Sequence, residues 1–254
     1  MKQFSLLALL ITVFFSCKDE EVQIQSVSSC IGDPEPNDWT GTCADFSYDT
    51  AKVCSCADMG SFKLEESSLE YLPLYCKEIG EVISFENDKG EMLHLEVSVK
   101  AYKRYSSLHY SYKPCADNST KVNTYLLEFE QLSIWLKSET NGLQLLLSLK
   151  TKPDLAQHGE GRVGDFLEIT RRKNSNYWTI DLTAVVNQRN LSYHETFSQE
   201  YYEQIELLGK TFRRVISTDI SYHVDPKPYK YYYTAEQGLV GFIDQSGVLW
   251  RIVD

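Results

Sequence analysis

The sequence predicts a mainly β protein: an antiparallel meander that forms a barrel or half-barrel, with a disulfide-rich N-terminal segment. Three observations support this fold class. Apolar residues alternate with period two from about residue 80, turn-forming residues separate the alternating runs, and six of the seven cysteines lie between residues 30 and 115. Period-two alternation places apolar side chains on one face of a strand. Closure of the sheet is expected because long exposed strand edges promote aggregation.

The first 16 residues are typical of an export leader. Lys2 provides a positive charge, and the following stretch from Leu6 to Phe15 is apolar apart from Thr12. Such a stretch is too short to cross a hydrocarbon core of about 30 Å as a helix. We therefore expect residues 1–16 to be a signal peptide.

Cys17 follows an apolar residue and a small residue, which is the order found in a lipobox. A lipobox cysteine acquires diacylglycerol on its thiol and becomes the first residue after cleavage. Two or more acyl chains anchor a protein stably, since each buried methylene contributes about 0.8 kcal/mol. We predict lipidation at Cys17 and a membrane partner through the lipid anchor; the alternative is a plain signal peptide with an incidental cysteine.

Residues 17–29 form an acidic tether. Lys18 and the three acids after it, Asp19, Glu20 and Glu21, resemble the surface-export signal of Bacteroidota lipoproteins. The resemblance implies an outer-membrane lipoprotein displayed at the cell surface. The alternative is that a charged tether is simply well solvated.

The chain is acidic, with a formal net charge of −11. Removal of residues 1–16 takes away one lysine and no acid. A domain with this charge does not attract nucleic acid, so we predict no nucleic-acid partner. The basic pair Arg213 and Arg214 is interpreted as a solvated part of a strand or turn.

Six cysteines remain once Cys17 carries lipid. An even number in an exported protein predicts three disulfides. One intervening residue makes a bridge between Cys54 and Cys56 geometrically unfavourable, and the sequence does not choose among the other pairings. Zinc is the alternative, although paired CxxC spacings are lacking. Residues 30–79 are thus predicted to be a cysteine-rich segment of cross-linked loops. The six cysteines are Cys30, Cys43, Cys54, Cys56, Cys76 and Cys115.

Residues 80–254 form the predicted antiparallel β domain. Alternation is clearest in two runs, Leu143 to Leu149 and Trp178 to Val186, where Ile180 and Leu182 are both expected to point inward. The apolar residues change from odd-numbered to even-numbered positions along one run, which predicts a β-bulge near Gln131. Helical pattern is confined to Leu64–Tyr71 and Ser198–Gln204. Turns are predicted at Asn87–Gly90, Asn141–Gly142, Asn174–Asn176 and Asp244–Gly247.

Two blocks resemble segments of Bacteroidota lipoproteins. The first is SSLEYLPLYCKEIGEVISFENDKGEMLHLEV; the second joins IELLGKTFRRV to YYYTAEQGLVGFIDQSGVLWRIV. The resemblance implies the fold and the location, and it brings no activity to carry over.

The sequence contains none of the motifs GxSxG, SxxK, HExxH, GxGxxG or the phosphate-binding P-loop. Its five histidines are scattered without metal-ligand spacing. We therefore predict no enzyme, no catalytic residue, no metal and no cofactor. The alternative is a hydrolase using carboxylates: Glu128 and Glu130 share one strand face, roughly 7 Å apart by strand rise, which suits glycoside hydrolysis.

Tyrosine is abundant, with seventeen copies. Tyr229, Tyr231 and Tyr233 lie on one face of PYKYYY and are the candidate binding residues, because rings with a polar tip suit interfaces. Tyrosine is also an ordinary strand residue. The prediction is a non-enzymatic binding protein for a glycan, a hydrophobic small molecule or an envelope protein; a purely structural envelope component is a further alternative.

Overall fold

A computed structural model of the chain describes residues 27–36, 43, 53–115, 118–153, 163–173, 179–187, 199–218 and 229–253. Its short helical elements are α1 (Glu66–Leu69) and two 3-10 helices, Val27–Cys30 and Pro73–Cys76. The strands are β1 (Val53–Phe62), β2 (Val82–Asn87), β3 (Met92–Cys115), β4 (Asn118–Lys137), β5 (Leu143–Pro153), β6 (Val163–Lys173), β7 (Thr179–Asn187), β8 (Gln199–Leu207), β9 (Lys210–Thr218), β10 (Lys230–Thr234), β11 (Gly238–Ile243) and β12 (Leu249–Ile252).

Eleven strands form one antiparallel half-barrel, in the order β7-β6-β5-β4-β3-β2-β12-β11-β10-β9-β8. The meander β2 to β7 and the meander β8 to β12 are joined because the last strand, β12, pairs with β2. Strand β7 contacts β9 and β10 across the concave side. The predicted fold class is therefore confirmed, and of the two predicted forms the sheet adopts the half-barrel.

The main core fills the concave face. Leu143, Leu145, Leu147 and Leu149 of β5 are all at most 1% exposed, as their alternation predicts. Each fully buried leucine contributes about 1.5–3 kcal/mol by removal from water. A second cluster on the other face of β9 to β12 contains Val215 and Val240. Both faces of the C-terminal strands are consequently covered.

Three of the predicted turns are confirmed. Strands β2 and β3 are joined after Asn87, β4 and β5 meet at Gly142, and β11 and β12 are joined by Asp244 to Gly247. In the last turn, the Asp244 carboxylate accepts hydrogen bonds from the backbone N–H groups of Ser246 and Val248. The turn predicted at Asn174–Asn176 lies outside the described residues.

One predicted helix is wrong and the other is shorter than expected. Ser198–Gln204 overlaps β8, whose residues pair with β9 from Gln199 opposite Thr218 to Leu207 opposite Lys210. Pairing within the sheet overrides the weak local helical pattern. The helix predicted at Leu64–Tyr71 exists as the single turn α1.

The β-bulge predicted near Gln131 is also wrong. The register between β3 and β4 runs without a break through Gln131, which pairs with Lys103; its irregularities fall between Val97 and Val99 and between Tyr110 and Cys115. The parity changes because Leu127, only 1% exposed, is buried on the opposite face of β4 from Leu132. Along β4 the buried apolar side chains therefore switch from one face of the strand to the other, although the register with β3 does not shift there.

Two disulfides close the N-terminal part of the chain, Cys30–Cys76 and Cys43–Cys56. The side chains of Cys54 and Cys115 lie outside the described ones, so the third disulfide stays a prediction. The segment 30–79 is not composed of loops alone, because it contains β1. This strand pairs parallel to the first half of β4 and so attaches the segment to the sheet.

The leader, Cys17 and the tether up to residue 26 lie outside the described residues. None of the helical segments within the described ranges has the length and hydrophobicity of a bilayer-crossing helix.

Candidate functional site

The three candidate binding tyrosines lie in the core. Tyr229 is 2% exposed, and Tyr231 and Tyr233 are fully buried. Strand β10 is covered because it lies between β9 and β11 and faces β7 across the half-barrel. The rings of Tyr229 and Tyr231 pack beside Phe242, with centroid separations of 5.7 and 6.1 Å. The prediction that these tyrosines form an exposed binding surface is therefore wrong.

A bulge in β7 reverses the expected alternation at one position. Ile180, predicted to point inward, is 57% exposed, whereas Asp181 is 1% exposed. The register between β6 and β7 shifts between Ile169, which pairs with Leu182, and Thr170, which pairs with Ile180. The extra residue is Asp181, and the bulge turns its carboxylate into the core.

Asp181 belongs to a buried polar cluster with Arg171, Tyr229 and Tyr231. Its carboxylate accepts hydrogen bonds from Arg171 Nε at 2.6 Å and from the Tyr231 hydroxyl at 3.0 Å. The guanidinium carbon of Arg171 lies 4.5 Å from the centroid of the Tyr229 ring. Burial alone would lower the pKa of Arg171, but the hydrogen bond and the charge of Asp181 outweigh it and raise that pKa. The cluster holds β6, β7 and β10 together across the core.

The buried tyrosines predict a loss of stability at alkaline pH. Burial raises the pKa of Tyr229 to about 12, above the value of about 10 expected in an unfolded chain. Between these values the unfolded chain releases a proton that the folded chain keeps, so the free energy of unfolding falls as pH rises, by about 1.4 kcal/mol per pH unit for this group. The contribution of Tyr229 to the free energy of unfolding is fully present below pH 10 and is lost as the pH rises toward 12. Urea titrations across this window measure the slope, and a Tyr229→Phe chain with an unchanged slope would refute the assignment.

The acidic pair considered for hydrolysis is used in contacts between segments. Glu130 is 3% exposed and accepts hydrogen bonds from the backbone N–H of Leu64 and from the hydroxyl of Tyr102. Glu128 accepts a hydrogen bond from the Ser61 hydroxyl at 2.8 Å. Burial, followed by the hydrogen bond to Glu130, raises the pKa of Tyr102. Both carboxylates therefore connect β4 to the chain around β1.

A small open groove is formed where the edge hairpin β8–β9 meets the turn between β10 and β11. Its volume is about 90 Å³. Ligand pockets that enclose a drug-sized molecule measure about 300–1,000 Å³. This groove therefore suits one protruding group of a larger ligand. Its polar and aromatic lining residues are Tyr71, Tyr201, Arg213, Arg214, Thr234 and Glu236.

Two consecutive arginines line this groove. In a regular strand adjacent side chains point to opposite faces. Arg214 has a φ of 51°, in the left-handed region that residues other than glycine rarely adopt. Pairing between β9 and β10 is confined to Ser217 and Ile216, so the chain at Arg213 and Arg214 departs from β10. The left-handed residue breaks the alternation and allows both arginines to line the same groove.

The two arginines differ in their partners. Arg214 forms an ion pair with Glu236. Arg213 is exposed, and within the described residues its guanidinium has no hydrogen bond or ion pair. Tyr201, which pairs with Ile216 across the hairpin, is 56% exposed. The groove is thus lined by an arginine that has no ion pair within the described part of the chain and by an accessible aromatic ring.

The wall at Tyr71 is held by the protein interior. The Tyr233 hydroxyl donates a hydrogen bond to the carbonyl oxygen of Tyr71. The buried Asp165 carboxylate accepts hydrogen bonds from the Ser68 hydroxyl at 2.6 Å and from the backbone N–H of Glu65 at 3.1 Å, which fixes α1 just before Tyr71. Two buried polar residues therefore position this side of the groove.

Sequence reasoning missed the groove. Arg213 and Arg214 were expected to be solvated charges, which alternating strand geometry would place on opposite faces. The feature that creates the groove is the left-handed backbone conformation of Arg214, and no local residue pattern indicates it. Two further tyrosines, both on β3, lie outside the groove: Tyr102 donates a hydrogen bond to Glu130, and Tyr105 stacks on Phe129.

Among the described residues, no three His, Cys, Asp or Glu side chains are grouped as metal ligands would be. No known family model, curated protein or solved structure matches the chain.

Proposed function

We propose that this protein is a lipid-anchored component of a bacterial envelope, displayed at the outer surface, and that its half-barrel is a non-enzymatic binding domain. The observation that carries the binding role is the groove between β8–β9 and the β10–β11 turn. There Arg213 and Tyr201 face solvent together.

The anchoring part of the proposal is supported by the order of residues at the N-terminus. A positive residue, a short apolar stretch and Cys17 are followed by the charged tether. Multiple acyl chains on Cys17 would hold the protein at a membrane without a spanning helix. The 3-10 helix that ends at Cys30 is joined to the domain through the disulfide to Cys76, so the tether would emerge from a fixed point.

The binding part is supported by the geometry of the groove. A left-handed residue that is not glycine costs about 1 kcal/mol or more, and such conformations are frequent at ligand sites. Here Arg213, which has no ion pair among the residues that the structure describes, lines the same groove as the exposed ring of Tyr201. Arginine and tyrosine are also the side chains enriched where proteins recognise their partners.

Lipidation is tested with the full-length chain expressed in a bacterial host fed an alkyne fatty acid. The label is expected on the wild-type chain and is expected to be lost in Cys17→Ser, with both chains still exported. Protease added to intact cells should digest the wild-type protein if it faces outward. A labelled Cys17→Ser chain, or an unlabelled wild-type chain, would contradict the anchor.

Binding is tested separately with the lipidated protein purified in detergent and incubated with glycans released from its own envelope. Native mass spectrometry is expected to show a glycan adduct that is lost in Arg213→Ala. Lys137→Ala is the matched control, because it removes one exposed positive charge from β4, a strand that does not line the groove. Equal adducts on all three proteins, or none on the wild type, would contradict a role for this groove.

A further inference from the structure

We infer that the groove formed by Tyr71, Tyr201, Arg213 and Arg214 recognises a carboxylated sugar at the end or on a branch of an acidic glycan. This inference rests on the proposed binding function and names its ligand class.

The charge of the groove favours an anionic ligand. Glu236 pairs with Arg214, whereas the exposed Arg213 has no ion pair among the described residues, so its guanidinium is accessible to an incoming ligand. A guanidinium presents a planar fork of N–H donors that matches a carboxylate in a bidentate arrangement. On a chain whose net charge is −11, a local positive site selects for a ligand with a negative group at that point.

The groove also orients an incoming anion. Glu236 makes its ion pair with Arg214 within the lining of the groove. A second negative charge brought to Arg214 would meet the Glu236 carboxylate, so like-charge repulsion directs an incoming anion to Arg213. The ion pair therefore does not block the site; it determines which arginine receives the ligand.

The aromatic surface of the groove suits a sugar ring. Tyr201 is more than half exposed on an edge strand, and Tyr71 lines the groove as well. A tyrosine offers an apolar face together with a hydroxyl that forms hydrogen bonds, which suits a sugar ring with both C–H and O–H groups. Thr234 adds a hydroxyl to the lining, although this oxygen already accepts a hydrogen bond from the N–H of Gln237. A ligand with both a carboxylate and a sugar ring uses all of these features.

The size of the groove limits how much of a glycan it can hold. About 90 Å³ is too small to enclose an oligosaccharide. A terminal or branching sugar can insert one edge into this volume, with the rest of its ring and of the glycan in solvent. Binding of one such sugar is expected to be weak, with a dissociation constant on the order of 1 mM, and avidity from repeated sugars would strengthen it.

The inference is tested by saturation-transfer NMR on the full lipidated protein in detergent micelles, with D-glucuronate as the probe. Ring protons of glucuronate are expected to receive saturation. D-glucose matches the ring without the carboxylate, acetate matches the carboxylate without the ring, and glucose 1-phosphate carries a different anion. Each of these three is expected to bind at least about tenfold more weakly.

The variants locate the site. Arg213→Ala and Tyr201→Ala are expected to weaken glucuronate binding about tenfold or more, and Arg213→Lys is expected to restore only part of it because an ammonium lacks the fork. Lys137→Ala should bind like the wild type. All chains should show the same thermal unfolding, since these side chains are exposed.

Three results would overturn the inference: glucose binding as well as glucuronate, glucose 1-phosphate binding more tightly, or glucuronate binding that survives Arg213→Ala. If glucuronate fails while an envelope glycan still forms an adduct that depends on Arg213, the ligand class is wrong and the binding function stands. If glucuronate does not bind and no envelope glycan forms an adduct that depends on Arg213, the groove is not the binding site.

Discussion

Replacing Asp181 with alanine is expected to lower the free energy of unfolding by about 3–5 kcal/mol, the range found when one member of a buried ion pair is removed. The change leaves the Arg171 guanidinium and the Tyr231 hydroxyl without their shared carboxylate in the core. Both groups would then bear a desolvation cost with no compensating partner. Urea unfolding at neutral pH, followed by circular dichroism, measures the effect.

A double variant separates the ion pair from the packing around it. Arg171→Met with Asp181→Leu removes both charges and keeps most of the volume, so it is expected to be much more stable than Asp181→Ala alone. Ile180→Thr, in the same strand but exposed, serves as the control and should change stability by about 0.5 kcal/mol or less. An Asp181→Ala chain as stable as this control would show that the cluster contributes nothing to the fold.

Removing the disulfide Cys30–Cys76 is expected to destabilise the protein by about 4 kcal/mol, because the bond closes a loop with a sequence separation of 46. The bond joins the first 3-10 helix to the second, which follows α1 and Tyr71. Its loss would therefore also loosen one wall of the groove. The change is Cys30→Ser with Cys76→Ser, measured by urea unfolding under oxidising conditions.

The second disulfide is the matched control. Cys43–Cys56 spans a separation of only 13, so its removal is expected to cost about 3 kcal/mol by loop entropy, roughly 1 kcal/mol less than the longer loop. Glucuronate binding should weaken only in the chain that lacks Cys30–Cys76. If both double variants lose the same stability and keep the same binding, the longer bridge does not support the groove.

The sheet could be predicted where one face of a strand is buried throughout. The run from Leu143 to Leu149 has this form, and the turns at Gly90, Gly142 and Gly247 are positions where a positive φ is required. The prediction fails where burial depends on distant parts of the chain. Leu127 is buried on the other side of β4, and Tyr229 lies in the core because β7 faces β10.

The candidate site was less predictable than the fold for a physical reason. Asp181 turns inward because of a one-residue bulge, and Arg213 joins Arg214 in a groove because one backbone angle is left-handed. Both features are set by where neighbouring strands begin and stop pairing. A period-two pattern assumes regular alternation, so it places Ile180 inside and the two arginines on opposite faces. The leader and Cys17, by contrast, are local patterns that the sequence displays directly.

The most direct measurement is a crystal structure of the mature protein soaked in D-glucuronate. We predict a carboxylate within hydrogen-bonding distance of the Arg213 guanidinium, the sugar ring against Tyr201, and a positive φ at Arg214. An empty groove at saturating glucuronate, or Arg213 and Arg214 on opposite faces of a regular strand, would contradict the proposed site.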